Sequence, residues 1–378
     1  MREESTFTPP SHEPASAVAE AEISELALLG GAEPEALSPF AQLAEERRIA
    51  ADPRLPLADR LEAFEDIMDS EVGDTNLTRA RNVERQFGIR QLYLKFDGGN
   101  PTGTQKDRIA FLQVEDAMRR RFDSITVATC GNYGAALALA ASVAGLRCVI
   151  FVPGSFHTRR SSEMEGRGAE LRRVEGDYEA SVEASGRWAR EHESYDANPG
   201  GANTSLQLQA YGEIAFEIYD ELRDAPAAVA VPVSNGTTLA GIHKGFVRLY
   251  RRGKTSRIPK MIAGSSSGKN PIVRSFLKGL DACEDLDPAR LRETAINEPL
   301  INWHSADGQH ALDAIRASEG WAGNASDRAM QRHSKLLREV EGLSVLPASS
   351  AGLAVLLEHH QRAPLPGDRY VAVLTGRR

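Results

Sequence analysis

The chain has 378 residues, 41% of them hydrophobic and 26% charged, with a formal net charge of −8. That length holds two domains with real cores, the composition is that of a soluble globular protein, and no stretch approaches the roughly 20 apolar residues of a membrane span. The acidic balance speaks against a nucleic-acid partner despite the cluster Arg119-Arg120-Arg121, which reads as the solvated end of a helix.

Residues 1–51 are rich in Pro, Ala, Glu and Ser and read as an extension, draped on the body or partly disordered, with one short helix around Ala21–Leu29. Its acidic start lacks the basic and apolar regions of a secretory signal, which places the chain in the cytoplasm. Cys130, Cys148 and Cys283 show no Cys-x-x-Cys spacing, so a reducing compartment fits and neither a disulfide framework nor a metal site is expected. A helical period covers Leu61–Met68, the turn Glu71-Val72-Gly73-Asp74-Thr75-Asn76-Leu77 follows, and a polar helix ends at Gly88. After the apolar run Leu92-Tyr93-Leu94 comes Asn100-Pro101-Thr102-Gly103-Thr104-Gln105-Lys106-Asp107-Arg108, where a Pro and a Gly mark a turn before an amphipathic helix from Arg108 to Arg119.

Ile125–Ala128 then reads as a buried strand, Tyr133–Ala144 as an Ala-rich helix, and Cys148–Val152 as a strand closed by Pro153-Gly154. A basic helix over Thr158–Gly166, a strand at Glu170–Val174 and a helix over Tyr178–Glu191 complete the block. Downstream lie a long helix Ser205–Arg223, strand Ala227–Val233, helix Leu239–Arg251 and strand Met261–Gly264. Helices at Gly308–Ser318 and Asp327–Glu341, a strand at Ser344–Leu346, a helix over Ala348–His360 and the strand Tyr370–Leu374 end the pattern. Strands alternating with helices imply parallel pairing with right-handed crossovers. The expectation is a two-domain α/β fold, with residues 52–108 and 199–378 as the large domain and 109–198 as a small α/β domain.

Four stretches carry candidate chemistry. Lys106 stands at a strand-to-helix corner, where backbone on both sides holds an amine that must meet a carbonyl; taken alone it also reads as a surface lysine. Thr129-Cys130-Gly131-Asn132-Tyr133-Gly134 is a polar βα turn whose N–H groups suit a carboxylate, or simply a tight turn with Asn132 as helix cap. Val233-Ser234-Asn235-Gly236-Thr237-Thr238-Leu239 combines small residues, two threonine hydroxyls and a helix start, which makes a phosphate cup without a lysine, or an ordinary capped turn. Thr375, at the carboxyl end of the last strand, faces the crevice where α/β sheets bind ligands, or meets water.

Together and in this order the four stretches resemble the pyridoxal-phosphate (PLP) enzymes of the tryptophan-synthase-β type, and within them threonine synthase, whose cofactor-lysine segment Asn-Pro-Thr-Gly-Ser-x-Lys-Asp-Arg is similar to the run ending at Arg108. The likeness extends from about Val72 to Gly376. It implies two open, mostly parallel sheets flanked by helices, with pyridoxal 5'-phosphate on Lys106 between the domains. By the same likeness Asn132 meets the cofactor's phenolic oxygen, while Thr129, Cys130, Gly131 and Tyr133 grip the substrate's α-carboxylate. Ser234, Asn235, Gly236, Thr237 and Thr238 would hold the phosphate, and Thr375 would face the ring nitrogen.

Departures are Thr104 for Ser, Gln105 for Phe, Asn76 for Pro, Cys130 for Ser or Thr, Ser234 for Gly and Leu346 for an acidic residue. Arg159 and Arg160 stand where the family often has a lysine and suit an anionic side group, or a solvated helix start. The implied reaction is elimination or replacement at the β or γ carbon of an amino acid, first O-phosphohomoserine to threonine plus phosphate. The alternatives are a β-replacing synthase or β-eliminating lyase acting on serine, phosphoserine or a related amino acid, and a PLP-binding protein without turnover. A homodimer is what the resemblance suggests.

Overall fold

The strands group into two sheets that bring loop ends from distant parts of the chain to one crevice. The computed structural model describes residues 39–129, 131–154, 160–176 and 178–378. The larger sheet contains β1 (Leu77–Arg79), β2 (Leu92–Phe96), β7 (Ala228–Pro232), β8 (Lys260–Ser266), β9 (Trp321–Ala325) and β10 (Tyr370–Leu374), in the order β1-β2-β10-β7-β8-β9. Within it β1 alone runs antiparallel to its neighbour, and Tyr370 aligns with Leu92 on one side and Ala228 on the other. The smaller sheet is parallel, in the order β5-β4-β3-β6, from β3 (Ser124–Ala128), β4 (Arg147–Pro153), β5 (Glu170–Val174) and β6 (Tyr195–Asp196). All five residues of β7 and of β10 are buried, the mark of strands covered on both faces.

The helices in chain order are α1 (Pro39–Ala51), α2 (Leu57–Glu71), α3 (Arg81–Phe87), α4 (Lys106–Arg119), α5 (Asn132–Ala144), α6 (Ser161–Gly166), α7 (Tyr178–Glu191), α8 (Thr204–Leu222), α9 (Thr237–Arg251), α10 (Pro271–Leu277), α11 (Gly308–Ala317), α12 (Asp327–Val340) and α13 (Ala351–Arg362). Residues 46–378 make up one compact unit. α4 buries Ile109, Phe111, Val114 and Met118, stacking Phe111 on Phe64 of α2 at 5.6 Å between ring centroids; each such fully buried side chain contributes about 1.5–3 kcal/mol. Where α8 crosses α9 the backbones touch. A Cβ at Gly245 would lie 2.5 Å from the Gly212 carbonyl oxygen, so only glycines permit the approach.

The α/β class, the parallel sheets and most elements agree with expectation to within a few residues. Five elements were not anticipated: α1, the short β1 and β6, α10, and β9, whose Trp-Ala-Gly-Asn-Ala sequence lacks β-branched residues. The expected strand at Ser344–Leu346 is not one. Val345 makes a single bridge to Arg377, and Pro347–Ser350 forms a 3-10 turn that shortens the following helix. The helix expected at Ala21–Leu29 and the start of the one expected at Thr158 lie outside the described residues, as do Cys130 and Arg159.

One buried ionic cluster fixes the start of α4. Arg108 bonds Asp97 through Nε (2.8 Å) and Nη2 (2.9 Å) and also reaches Glu217 of α8, while Lys95 of β2 meets Glu217 and the Thr75 carbonyl. Burial would lower the Arg108 pKa, but Asp97 and Glu217 outweigh it and hold the guanidinium above its ordinary value. Glu217, which burial would raise, is drawn down to about 2 by Arg108 and Lys95. With two cations and two carboxylates the cluster is neutral, which makes its burial tolerable.

Candidate active site

Lys106, the turn Ser234–Gly236 and Thr375 follow β2, β7 and β10, three neighbouring strands of the larger sheet, and Thr129–Gly131 follows β3 of the smaller one. All lie beyond the carboxyl ends of parallel strands, where such sheets bind ligands. The Lys106 corner is tied to Thr375 by the Gln105 N–H, which donates to the Thr375 carbonyl (3.0 Å), and by the bridge between Thr104 and Gly376. Thr375 Oγ1 in turn lies 3.1 Å from Ser349 Oγ.

Lys106 is the first residue of α4 and is half-buried. Its Nζ sits 5.8 Å from the ring centre of Tyr133 and 5.9 Å from that of Tyr211, with no hydrogen-bond acceptor among the described residues. Burial pulls its pKa down to about 8, against the opposing pull of Asp307. Beside it Asp107 accepts from the N–H (2.9 Å) and hydroxyl of Thr102, closing the preceding turn.

At α5 the helix cap is Gly131, not Asn132 as one reading had it, and no side chain caps the helix. Asn132 Oδ1 instead accepts from Arg160 Nη1 (2.6 Å), while Arg160 Nη2 donates to the Thr102 carbonyl (2.9 Å) and the guanidinium pairs with Glu163. Arg160 thereby joins the α5 turn to the lysine turn. The Tyr133 hydroxyl points away from the cleft, to the Ala197 carbonyl (2.8 Å) and Gln113, so Tyr133 offers the cleft its ring and its backbone N–H. Burial raises its pKa well above the ordinary phenol value.

At α9, Gly236 adopts φ +90°, and a Cβ there would lie 2.7 Å from Ala311 Cβ, so glycine is required twice over. No side chain caps this helix either. The turn is braced from behind. The Ser234 carbonyl accepts from Asn270 Nδ2 (2.9 Å) and Ser305 Oγ (3.1 Å), and Asn235 Oδ1 accepts from Asn302 Nδ2 (2.8 Å). Thr237 Oγ1 donates to Asp307 Oδ2 (2.6 Å), whose other oxygen takes the Thr204 hydroxyl (2.8 Å).

Sequence reasoning missed Asp307 and Tyr211. Asp307 precedes α11 and looks like its cap, yet its carboxylate makes no cap bond and turns to the α9 turn and Lys106. Tyr211 looks like a core aromatic on α8; it is fully buried, but its hydroxyl has no hydrogen-bond partner among the described residues. Nothing in their spacing marks either residue.

The chain matches the family described as "Pyridoxal-phosphate dependent enzyme" over residues 68–376. It is 32% identical to a threonine synthase from Methanocaldococcus jannaschii over 307 residues, which cover 80% of this chain and 74% of that protein. Its fold is similar to that of maize serine racemase (TM-score 0.70, 17% identity, covering 84% of this chain and 92% of that one). It is likewise similar to threonine deaminase isoform 2 from Solanum lycopersicum (TM-score 0.69, 15% identity, covering 87% and 92%). The crevice fits the cofactor of that family: an amine without an acceptor for an aldehyde, an uncapped helix N-terminus for a phosphate, and a buried phenol lacking a partner. From the matched residues and this fit it follows that the chain belongs to the pyridoxal-phosphate dependent enzymes, with pyridoxal 5'-phosphate as cofactor.

Proposed function

We propose that the chain is a threonine synthase-like enzyme that converts O-phosphohomoserine to threonine and phosphate by elimination and addition at the side chain. The observation that carries this reading is a pair of neutral hydroxyls, Thr375 just beyond β10 and Ser349 of the 3-10 turn Pro347–Ser350 that meets it. Thr375, which would face the ring nitrogen, could not keep a proton there as a carboxylate would, which favours side-chain chemistry over transamination. Identity of 32% to a threonine synthase over 80% of the chain supports the substrate.

When bound, pyridoxal phosphate supplies an electron sink conjugated to the substrate's α carbon. Lys106 Nζ would hold the cofactor through its aldehyde and, as a free amine, would remove the substrate's α-proton as general base; a pKa near 8 leaves a useful neutral fraction at neutral pH. Asn132 would meet the cofactor's phenolic oxygen. Thr129, Cys130, Gly131 and Tyr133 grip the α-carboxylate, Tyr133 through its N–H, and so align the breaking C–H bond. Ser234, Asn235, Gly236, Thr237 and Thr238 form the phosphate cup. On this reading residues 52–108 and 199–378 carry the cofactor, 109–198 meet the substrate, and the enzyme works in the cytoplasm as a homodimer.

A second reading, a β-eliminating lyase or β-replacing synthase acting on serine or a related amino acid, is favoured by Arg160, which already serves Asn132, Thr102 and Glu163. Purified holoenzyme mixed with O-phosphohomoserine, O-phosphoserine and serine separates the two. Threonine plus phosphate is expected from the first; a 2-oxo acid plus ammonia from the others would transfer the assignment. Visible absorbance unmoved by any of the three would mean a cofactor-binding protein without turnover.

A further inference from the structure

The α9 turn offers fewer hydroxyls than its sequence promises. Thr237 and Thr238 both stand in its first turn, but the Thr237 hydroxyl is spent on Asp307, leaving Thr238 as the threonine hydroxyl still available to an anion. A phenol stands close by. Tyr211 rises from α8 where that helix crosses α9 so tightly that a Cβ at Gly241 would lie 2.7 Å from Tyr211 Cβ. The crossing holds the ring within 5.9 Å of Lys106 Nζ and brings the hydroxyl near enough to Thr238 to feel it, though no neighbour meets hydrogen-bond geometry.

A fully buried hydroxyl with no partner is costly and calls for an explanation, which beside an anion-binding turn is a ligand atom that completes it. Burial also raises the Tyr211 pKa, so the group remains a protonated donor at any working pH. Phenylalanine would fill the same space without the penalty.

We propose that Tyr211 Oη donates a hydrogen bond to the cofactor's phosphate, standing in for the Thr237 hydroxyl and closing the cup from the α8 side. This rests on the reading of the α9 turn as the phosphate site. It makes Tyr211 a cofactor-binding residue contributed by a helix that carries none of the four motifs.

The test is a titration of the full-length chain, stripped of cofactor, with pyridoxal phosphate and with pyridoxal, in wild type and Tyr211→Phe. Wild type binds the phosphorylated form far more tightly. Tyr211→Phe loses roughly tenfold in affinity for pyridoxal phosphate, as loss of one hydrogen bond to a charged group implies, and is unchanged toward pyridoxal. Without cofactor the variant melts at the same temperature as wild type or higher, because the removed hydroxyl had no partner. Wild type that fails to distinguish the two ligands sinks the phosphate-cup reading itself. Wild type that distinguishes them while Tyr211→Phe keeps its full affinity, or loses both ligands equally, overturns the role of Tyr211 and leaves the cup intact.

Discussion

The crevice is bounded by two uncapped helix N-termini that look alike in sequence and are built differently. At α9 the turn is held from behind by Asn270, Asn302, Ser305 and Asp307, all from the stretch after β8, so its amides are fixed before any ligand arrives. At α5 the support is sparser among the described residues: Asn198 Oδ1 accepts from the Ala128 N–H (2.8 Å), and Arg160 holds Asn132. On the proposed reading, the first kind of site would serve a permanently bound cofactor and the second a substrate that comes and goes. The difference teaches that the same local signal, a polar turn opening a helix, acquires its role from what packs behind it.

Lys106 lies between the two turns, and its loss has the largest expected effect. Lys106→Ala lowers turnover by about 10³-fold or more, as removal of a positioned general base does, and borohydride no longer fixes the cofactor to the chain. In cofactor-free wild type the amine is protonated and inert well below pH 8 and gains reactivity toward acylating reagents as pH rises through about 8. Reactivity rising only near pH 10, as for surface lysines, would break the account of a desolvated amine.

The bracing of α9 is tested next. Asn270 is almost fully buried; its Oδ1 caps α10 by accepting from Ile272 and Val273 N–H, while its Nδ2 holds Ser234. Asn270→Ala therefore costs about 1–3 kcal/mol and lowers Tm by several degrees, with cofactor retention reduced alongside. A variant with unchanged Tm and cofactor affinity would mean that the turn stands without its backing and would erase the contrast with α5.

The smallest expected effect is at α5. Arg160→Ala lowers Tm only modestly, since the guanidinium and its partner Glu163 both remain partly exposed, although its bonds to Asn132 and the Thr102 carbonyl are lost. On the threonine synthase-like reading it raises KM for a phosphorylated substrate roughly tenfold, the scale of one charge-assisted contact, and not for a neutral analogue. Equal loss for both would assign Arg160 to holding Asn132 in place instead of to the substrate's side group, and would sharpen the contrast by making α5 a one-strut turn.

Much of this was legible because each motif is contiguous: Gly, Pro and Asn mark a turn between an apolar run and an amphipathic one, and in a parallel fold such turns gather at one edge. What stayed hidden acts across long separations. Asp307 reaches Thr237 and Asn270 reaches Ser234, and a lone Asp or Asn before a helix reads as its cap. Tyr211 sits in the buried stripe of α8, where a phenol and a benzyl side chain give the same pattern and only the hydroxyl's surroundings tell them apart. Ser344–Leu346 misled for the opposite reason: Val345 packs against the core, but the segment makes one isolated bridge, Val345 to Arg377, with backbone bonds to Gly376 and Arg378 of the chain's last residues and to no strand of the sheet.

The position of β10 has a consequence for how the molecule is made. It lies between β2 and β7 although it follows both in sequence, so the larger sheet has a gap at its middle until that segment has been synthesised. Pairings of such long sequence separation are slow to form, and until they do the wall bearing Thr375 is absent. A nascent chain thus has the amine long before it has a crevice, and cofactor capture becomes a late event that reports a finished sheet.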